Sequence, residues 1–154
     1  MMIITERILF ALCMWSVNVA ATETGHAGAY WRTRGSQAVA VCQEVGRRAD
    51  RAGLALPEVL AVSFVETRHR KNLTSSRGAK GPLQALPKYW SRPSDRDHID
   101  AGLRAWAYYR RRSSSVQGAA GKYNGGGKSS RYARDVRKHY ELLQRVLRVA
   151  RWPL

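Results

Sequence analysis

The chain predicts a single, mostly helical domain, and three observations carry that prediction. Its 154 residues suffice for one hydrophobic core and not for two sizeable ones. Several stretches repeat apolar residues at helical spacing. No stretch alternates apolar and polar residues with the period of two that a half-buried strand requires. The apolar share of 44% and charged share of 25% are those of an ordinary globular domain, so general disorder is excluded.

Residues 1–21 read as an export signal or signal anchor. Arg7 precedes an apolar run from Ile8 to Ala21 that closes on Val19, Ala20 and Ala21, small residues of the kind found before a cleavage point. Ser16 and Asn18 interrupt the run, which is shorter than the roughly 20 apolar residues of a spanning helix. A buried first helix is the other reading of this segment. Cleavage after Ala21 removes Cys13 and leaves Cys42 as an inert buried thiol with no internal disulfide. Residues 22–35, which contain Gly25, Gly28 and Gly35, read as an irregular lead-in.

The ordered domain is then 36–154. Ser36 suits a helix start, and Ala38, Val41, Cys42, Val45, Ala49 and Ala52 recur along one face up to Gly53, which suits a stop. Pro57 and Glu58 suit the first turn of the next helix. Val59, Leu60, Ala61, Val62, Phe64 and Val65 surround it with apolar surface, so it belongs at the centre. Glu66 lies seven residues after Val59 and four after Val62, on the same buried stripe. From Asn72 to Pro82 the chain is rich in Ser and Gly, which predicts an irregular or β-turn segment folded over the end of the Glu66 helix. A helix over about 97–112 follows, with Ile99, Leu103, Trp106, Ala107 and Arg110 along one side. A short helix over 116–123 ends at Asn124 and the glycines 125–127. The last helix spans 131–150, with Tyr132, Val136, Leu143, Leu147 and Ala150 inward, and Pro153 terminates it.

Lys and Arg outnumber Asp and Glu by 27 to 11, a net charge of +16 that removal of residues 1–21 leaves unchanged. Such a surface attracts polyanions. For an exported chain the first polyanions met are acidic wall polymers and the membrane surface, so nucleic acid is the disfavoured partner. His26, His69, His98 and His139 share no metal-ligand spacing, and no metal or cofactor is expected.

A glutamate among apolar neighbours has its charged form desolvated, which raises its pKa and keeps a proton available near neutrality. That is what protonation of a glycosidic oxygen needs. Glu66 is followed at fixed offsets by Ser75, Gly78, Ala79, Gly81, Gln84 and Pro87, and later by Tyr123, Asn124 and Gly126. In that order and spacing the residues resemble the soluble lytic transglycosylases, lysozyme-like enzymes of bacterial walls. Their pattern is Glu-Ser, a serine nine residues after the glutamate, Gly-Ala-x-Gly-Leu-Met-Gln with a following proline, and a later Tyr-Asn-x-Gly. The likeness covers about 54–140. Thr67 stands in place of the family's serine, His69 in place of an aromatic residue, and Pro82-Leu83 in place of Leu-Met, which implies a cleft wall of different shape.

The resemblance implies a lysozyme-like fold and an exported enzyme of the periplasm or cell envelope. It acts on peptidoglycan glycan strands as a monomer and leaves 1,6-anhydro-N-acetylmuramic acid ends. Glu66 is then the catalytic residue. Ser75, Gln84, Tyr123 and Asn124 bind substrate or support the site, and Gly78, Ala79 and Gly81 shape a cleft loop. Trp90 is a candidate sugar contact, whereas Trp106 falls at a core position. Two alternatives stay open at this level. A hydrolytic muramidase of the same fold would recruit Asp95, Asp97 or Asp100 as a second carboxylate, although these positions also suit helix capping. A basic wall- or nucleic-acid-binding protein would keep the fold without turnover.

Overall fold

The computed structural model describes residues 5–151; Trp152 and Pro153 lie outside the described residues. In chain order the helices are α1 (Glu6–Glu23), α2 (Ala27–Tyr30), a π-helical turn (Trp31–Gly35), α3 (Ser36–Arg51), α4 (Leu56–Thr67), α5 (Pro87–Trp90), α6 (Ile99–Arg111), α7 (Val116–Asn124) and α8 (Arg131–Ala150). Among the described residues the only β pairing is two isolated antiparallel bridges, Thr74 with Lys80 and Lys80 with Ala85. The domain is thus mostly α, with a β-turn segment between α4 and α5.

Helix α4 is the hub. Every residue from Leu56 to Phe64 is buried, as its all-round apolar surface demands, and α8 and α3 pack on it. Pro57 occupies its first turn, where the missing N–H costs nothing. Helix α6 buries Ile99, Leu103 and Trp106, which confirms Trp106 as a core residue. Helix α8 buries Ala133, Val136, His139 and Leu143. The expected inward set omitted His139, because a histidine does not register as apolar.

Two expectations about the first 35 residues are corrected. Residues 27–35 are not an irregular lead-in, since α2 and the π-helical turn run into α3 and Ser36 lies within helical backbone. An ideal Cβ on Gly35 would lie 2.1 Å from the Trp31 ring. The absence of a side chain there is therefore what lets the indole lie back on the helix. Trp31 Nε1 also donates to Asn18 Oδ1 on α1 at 3.3 Å. These contacts hold a helix that lacks an apolar repeat of its own.

Cys42, moreover, is not a free thiol: it is bonded to Cys13. Helix α1 is embedded in the core, with Leu9, Leu12, Cys13, Ser16 and Val17 buried. Gly46 lets it approach α3 closely, since a Cβ there would lie 2.4 Å from Leu9 Cδ1. Leu9 and Cys13 on α1 thus face Gly46 and Cys42 on α3 at matched one-turn intervals. Arg47 of α3 binds both carboxylate oxygens of Glu6 at 2.8 and 3.0 Å. No described helix is long and apolar enough to cross a membrane.

A buried polar chain joins α1, α4 and α8. Ser63 Oγ lies 2.9 Å from His69 Nδ1, and Ser16 Oγ lies 2.6 Å from His69 Nε2 and 2.8 Å from His139 Nε2. Phe64 stacks on the His139 ring with centroids 3.7 Å apart. Burial, first of all, holds both imidazoles far below their usual range, at about 3, with the Arg68 charge acting in the same sense on each. They are neutral at physiological pH, and both ring nitrogens of His69 and Nε2 of His139 have serine hydroxyl partners.

An imidazole whose folded pKa is depressed binds its proton more readily once unfolded. The contribution of His69 and His139 to stability is therefore expected to rise with pH from about 3 to 6.5 and to level off above. Replacing Ser16 by Ala leaves two ring nitrogens without partners and should cost about 1–3 kcal/mol at pH 8. Denaturant unfolding of both proteins across this pH range measures both effects.

Candidate active site

Glu66 occupies the last turn of α4, where the chain leaves the helix through two consecutive left-handed residues, Arg68 (φ 55°) and His69 (φ 61°). Side-chain contacts support this backbone in the absence of glycine. The Arg68 guanidinium donates to the Phe64 and Val65 carbonyls at 2.8 and 3.2 Å, pairs with Glu23 at 2.8 Å, and lies 4.2 Å from the Phe64 ring centre. Its positive charge thus sits at the negative end of the α4 dipole. His69 is anchored by the polar chain described above. The turn holds Glu66 at the rim of the core instead of letting it continue into solvent.

The segment after α4 folds back over it. Thr67 Oγ1 lies within hydrogen-bonding distance of the Ser63 and Pro82 carbonyls, at 3.2 and 3.0 Å, and accepts the Arg70 N–H at 3.1 Å. This hydroxyl fastens the loop to the helix. Ser75 Oγ accepts the Ala79 N–H at 3.0 Å. Gln84, itself at a left-handed φ of 52°, donates its side-chain amide to the Leu73 and Gly81 carbonyls at 3.0 and 2.9 Å. Gly81 has φ 80°, and a Cβ there would lie 2.7 Å from His98 Cβ; backbone conformation and space both require glycine.

The result is an open cleft of about 350 Å3, with Glu66, Ser75, Ala79, Gln84, Tyr123 and Asn124 all among its lining residues. Residues separated by up to 58 positions in sequence therefore share one concave surface. Gly78 and Gly81 shape the loop without lining the cleft. Ser75 and Gln84 also have structural work, since their polar groups organise the loop that presents them. Trp90, Tyr89 and Tyr109 complete an aromatic wall. Tyr89 is exposed, and Arg104 fixes the backbone at Trp90 by two hydrogen bonds to its carbonyl, at 3.0 and 2.8 Å.

His69, Pro82 and Leu83, the residues expected to reshape the cleft wall, do not themselves face the cleft. All three are buried, and none lines the cleft. His69 turns inward to Ser16, while Leu83 packs where a Cβ on Gly102 would stand 2.4 Å from its own Cβ.

Burial pushes the Glu66 carboxyl up to about 7, and the Tyr132 hydroxyl beside it opposes that rise. Tyr132, like Tyr89 and Tyr109, was not assigned to the site by sequence reasoning, which placed it only among inward positions of the last helix. Its Oη is buried and makes no hydrogen bond of good geometry, although a buried tyrosine hydroxyl calls for a partner; Glu66 is the carboxyl beside it, and that requirement was the available signal. The glycine run sets its position. Gly125 N and Gly127 N donate back to Gly121 O at 2.9 and 3.1 Å. A Cβ on Gly121 would come within 2.3 Å of Gly127 C. The loop therefore folds tightly onto α7, and α8 starts at the Ser130 cap with Tyr132 turned towards Glu66. Tyr123 lies deeper, donating Oη to Leu83 O and meeting Trp106 and Tyr109 edge to face.

No second acid joins Glu66 among the lining residues. Asp95 is paired with Arg104, Asp97 receives the Ile99 N–H at 3.0 Å and a two-pronged Arg48 contact at 2.7 and 2.8 Å, and Asp100 lies 3.6 Å from Arg48. Capping and ion pairing account for all three. No group of three or more His, Cys, Asp or Glu among the described residues is arranged to hold a metal ion. Comparison with family models, with curated proteins and with solved structures finds no match to this chain.

A carboxyl whose pKa rises from 4.5 to about 7 on folding binds its proton more tightly in the folded state, so its ionisation weakens the fold as pH rises through that window. Glu66→Gln removes this penalty and should stabilise the protein by about 1–3 kcal/mol at pH 8 and by much less at pH 4. Thermal unfolding at the two pH values checks the difference. Tyr132→Phe removes the hydroxyl that favours the carboxylate and should raise the Glu66 pKa further, as read by NMR titration of a side-chain-labelled glutamate.

Proposed function

We propose that the protein is a peptidoglycan lytic transglycosylase and that Glu66 is its proton-transferring group. The observation that carries this reading is a lone carboxyl, poised near neutrality, in an open cleft with no second acid among its lining residues. Retaining and inverting glycosidases that rely on a carboxylate pair need both groups beside the scissile bond. One carboxyl suffices when the substrate supplies its own nucleophile. Glu66 first protonates the oxygen between N-acetylmuramic acid and N-acetylglucosamine. As a carboxylate it then takes the proton from the muramyl C6 hydroxyl, whose oxygen closes on C1. The glycosidic C–O bond breaks, a C–O bond forms within the sugar, and no water is consumed. A pKa of about 7 suits a group that must act as acid and then as base.

Other residues have auxiliary parts in this scheme. Trp90, Tyr89 and Tyr109 offer flat faces to sugar rings, and Tyr132 sustains the carboxylate between the two proton transfers. The Cys13–Cys42 pairing fits an oxidising compartment and so supports placement in the periplasm or cell envelope. That pairing also requires residue 13 to stay with the chain. Export is accordingly proposed with the leader-like segment retained as α1.

Digestion of purified peptidoglycan with mass analysis of the fragments tests the proposal. Fragments with anhydro ends, one water lighter than hydrolysed ones, are expected. Glu66→Gln should lower kcat by at least about 100-fold, and wild-type kcat/KM should fall as pH rises above about 7. Reducing ends in place of anhydro ends identify a hydrolytic muramidase. Cleavage that survives Glu66→Gln removes the role given to that residue.

A further inference from the structure

Behind the loop that closes the cleft lies a second concave surface. Tyr30, Arg34 and Arg70 form a wall common to two adjoining cavities of about 260 and 290 Å3. Lys71 lines the first and Arg68 the second, so four cations converge here. The one carboxylate lining the second cavity is Glu23, already engaged by Arg68 at 2.8 Å. Asp97 lies within electrostatic reach of Lys71 but is held by Arg48. Arg70 uses Nε on the Thr67 carbonyl at 3.0 Å, which leaves its terminal nitrogens available. Arg34 and Lys71 have no ion pair or side-chain hydrogen bond among the described residues.

The floor of this groove differs from its rim. Buried Ala38 and Val41 of α3 and half-buried Leu73 line the first cavity, giving apolar surface beneath guanidinium and ammonium groups. A nucleic-acid backbone calls for a charged track with stacking faces along it. An apolar floor with separated cations fits instead a short peptide whose carboxylates alternate with apolar side chains, each carboxylate taking charge-assisted hydrogen bonds from arginine.

The groove is also coupled to the cleft. Gln84, which lines the cleft, donates to the carbonyl of Leu73, which lines the groove. Arg68 and Arg70 lie two and four residues after Glu66. The segment from Arg70 to Gln84 thus lines the groove with Arg70, Lys71 and Leu73 and the cleft with Ser75, Ala79 and Gln84.

The geometry points to this basic groove as the binding site for the carboxylate-bearing peptide stem of the glycan strand, an assignment that rests on the proposed function and deepens it. The stem stands off the muramyl residue beside the cut. Holding it would both position that residue and favour stem-bearing strands over bare ones.

Two measurements test this. In the first, a soluble stem peptide is titrated into the full chain and followed by NMR, which requires no cleavage. Shifts at Arg34, Arg70, Lys71 and Leu73 are expected, together with weakening by salt and at least tenfold weaker binding in an Arg34→Glu, Lys71→Glu variant. Both substituted residues are exposed, and an unchanged thermal midpoint shows that the variant is folded. In the second, cleavage of stem-bearing strands is compared with cleavage of strands stripped by an amidase. The ratio of kcat/KM between them should fall about tenfold in the variant. Shifts confined to other surfaces, an unchanged ratio, or tighter binding of an oligonucleotide than of the stem peptide at the same residues overturns the assignment. Stem binding without any strand cleavage overturns the proposed activity and leaves the groove assignment standing.

Discussion

The dehydration of one carboxyl organises this molecule. Helix α4 is apolar on all sides and must be enclosed, so α3 and α8 pack around it, and the one place where it meets solvent is its C-terminal rim. Glu66 sits at that rim, buried enough to raise its pKa to about 7 yet open to a cleft. Continuing the helix would expose it fully, and one turn earlier it would be sealed in the core. The left-handed exit through Arg68 and His69, the Thr67 clamp on the loop, and the folding of the glycine run that brings Tyr132 alongside all maintain this intermediate position. The cost is instability once the group ionises, a common relation between stability and activity at functional sites.

The exit from α4 explains why the first helix matters to a site it never touches. His69 cannot be buried without hydrogen-bond partners for both ring nitrogens. Ser63 supplies one and Ser16, on α1, supplies the other. Ser16 in turn reaches His139 on α8, so the three helices meet at one hydroxyl. The Cys13–Cys42 bond and the Glu6–Arg47 pair hold α1 in register for that contact. The same sequence that has the composition of a leader is in the fold a structural helix, and its two interruptions, Ser16 and Asn18, make specific contacts with His69, His139 and Trp31.

Charge is distributed unevenly with respect to function. Exposed Arg131, Arg134, Arg137, Lys138, Arg145 and Arg148 outnumber Asp135 and Glu141 on the outer face of α8, where the charge serves solubility and general attraction to polyanions. Arg48, Arg68 and Arg104 are instead engaged in specific contacts with Asp97, Glu23 and Asp95. The cluster around Tyr30 is set apart by its apolar floor and by the Gln84–Leu73 hydrogen bond that ties it to the cleft.

Local patterning determined the helices α3, α4, α6, α7 and α8, because apolar spacing, Pro57, Gly53 and the glycines after Asn124 each act within a few residues. Which residues meet in the cleft was expected from resemblance alone, since the spaced array from Glu66 to Pro87 and the Tyr123-Asn124 element are similar to those of a known family. Three features needed the tertiary structure. Cys13 and Cys42 became partners through the packing of α1 on α3, a long-range event that spacing does not encode. Residues 27–35 became helical through Trp31 lying on Gly35 and reaching Asn18, although the segment carries no repeat. Tyr132 came beside Glu66 through the tight fold of the glycine run onto α7, and His69 turned away from the cleft because a buried imidazole is placed by the partners it requires. A sequence shows the need for such partners, and only the folded chain shows which residues meet it.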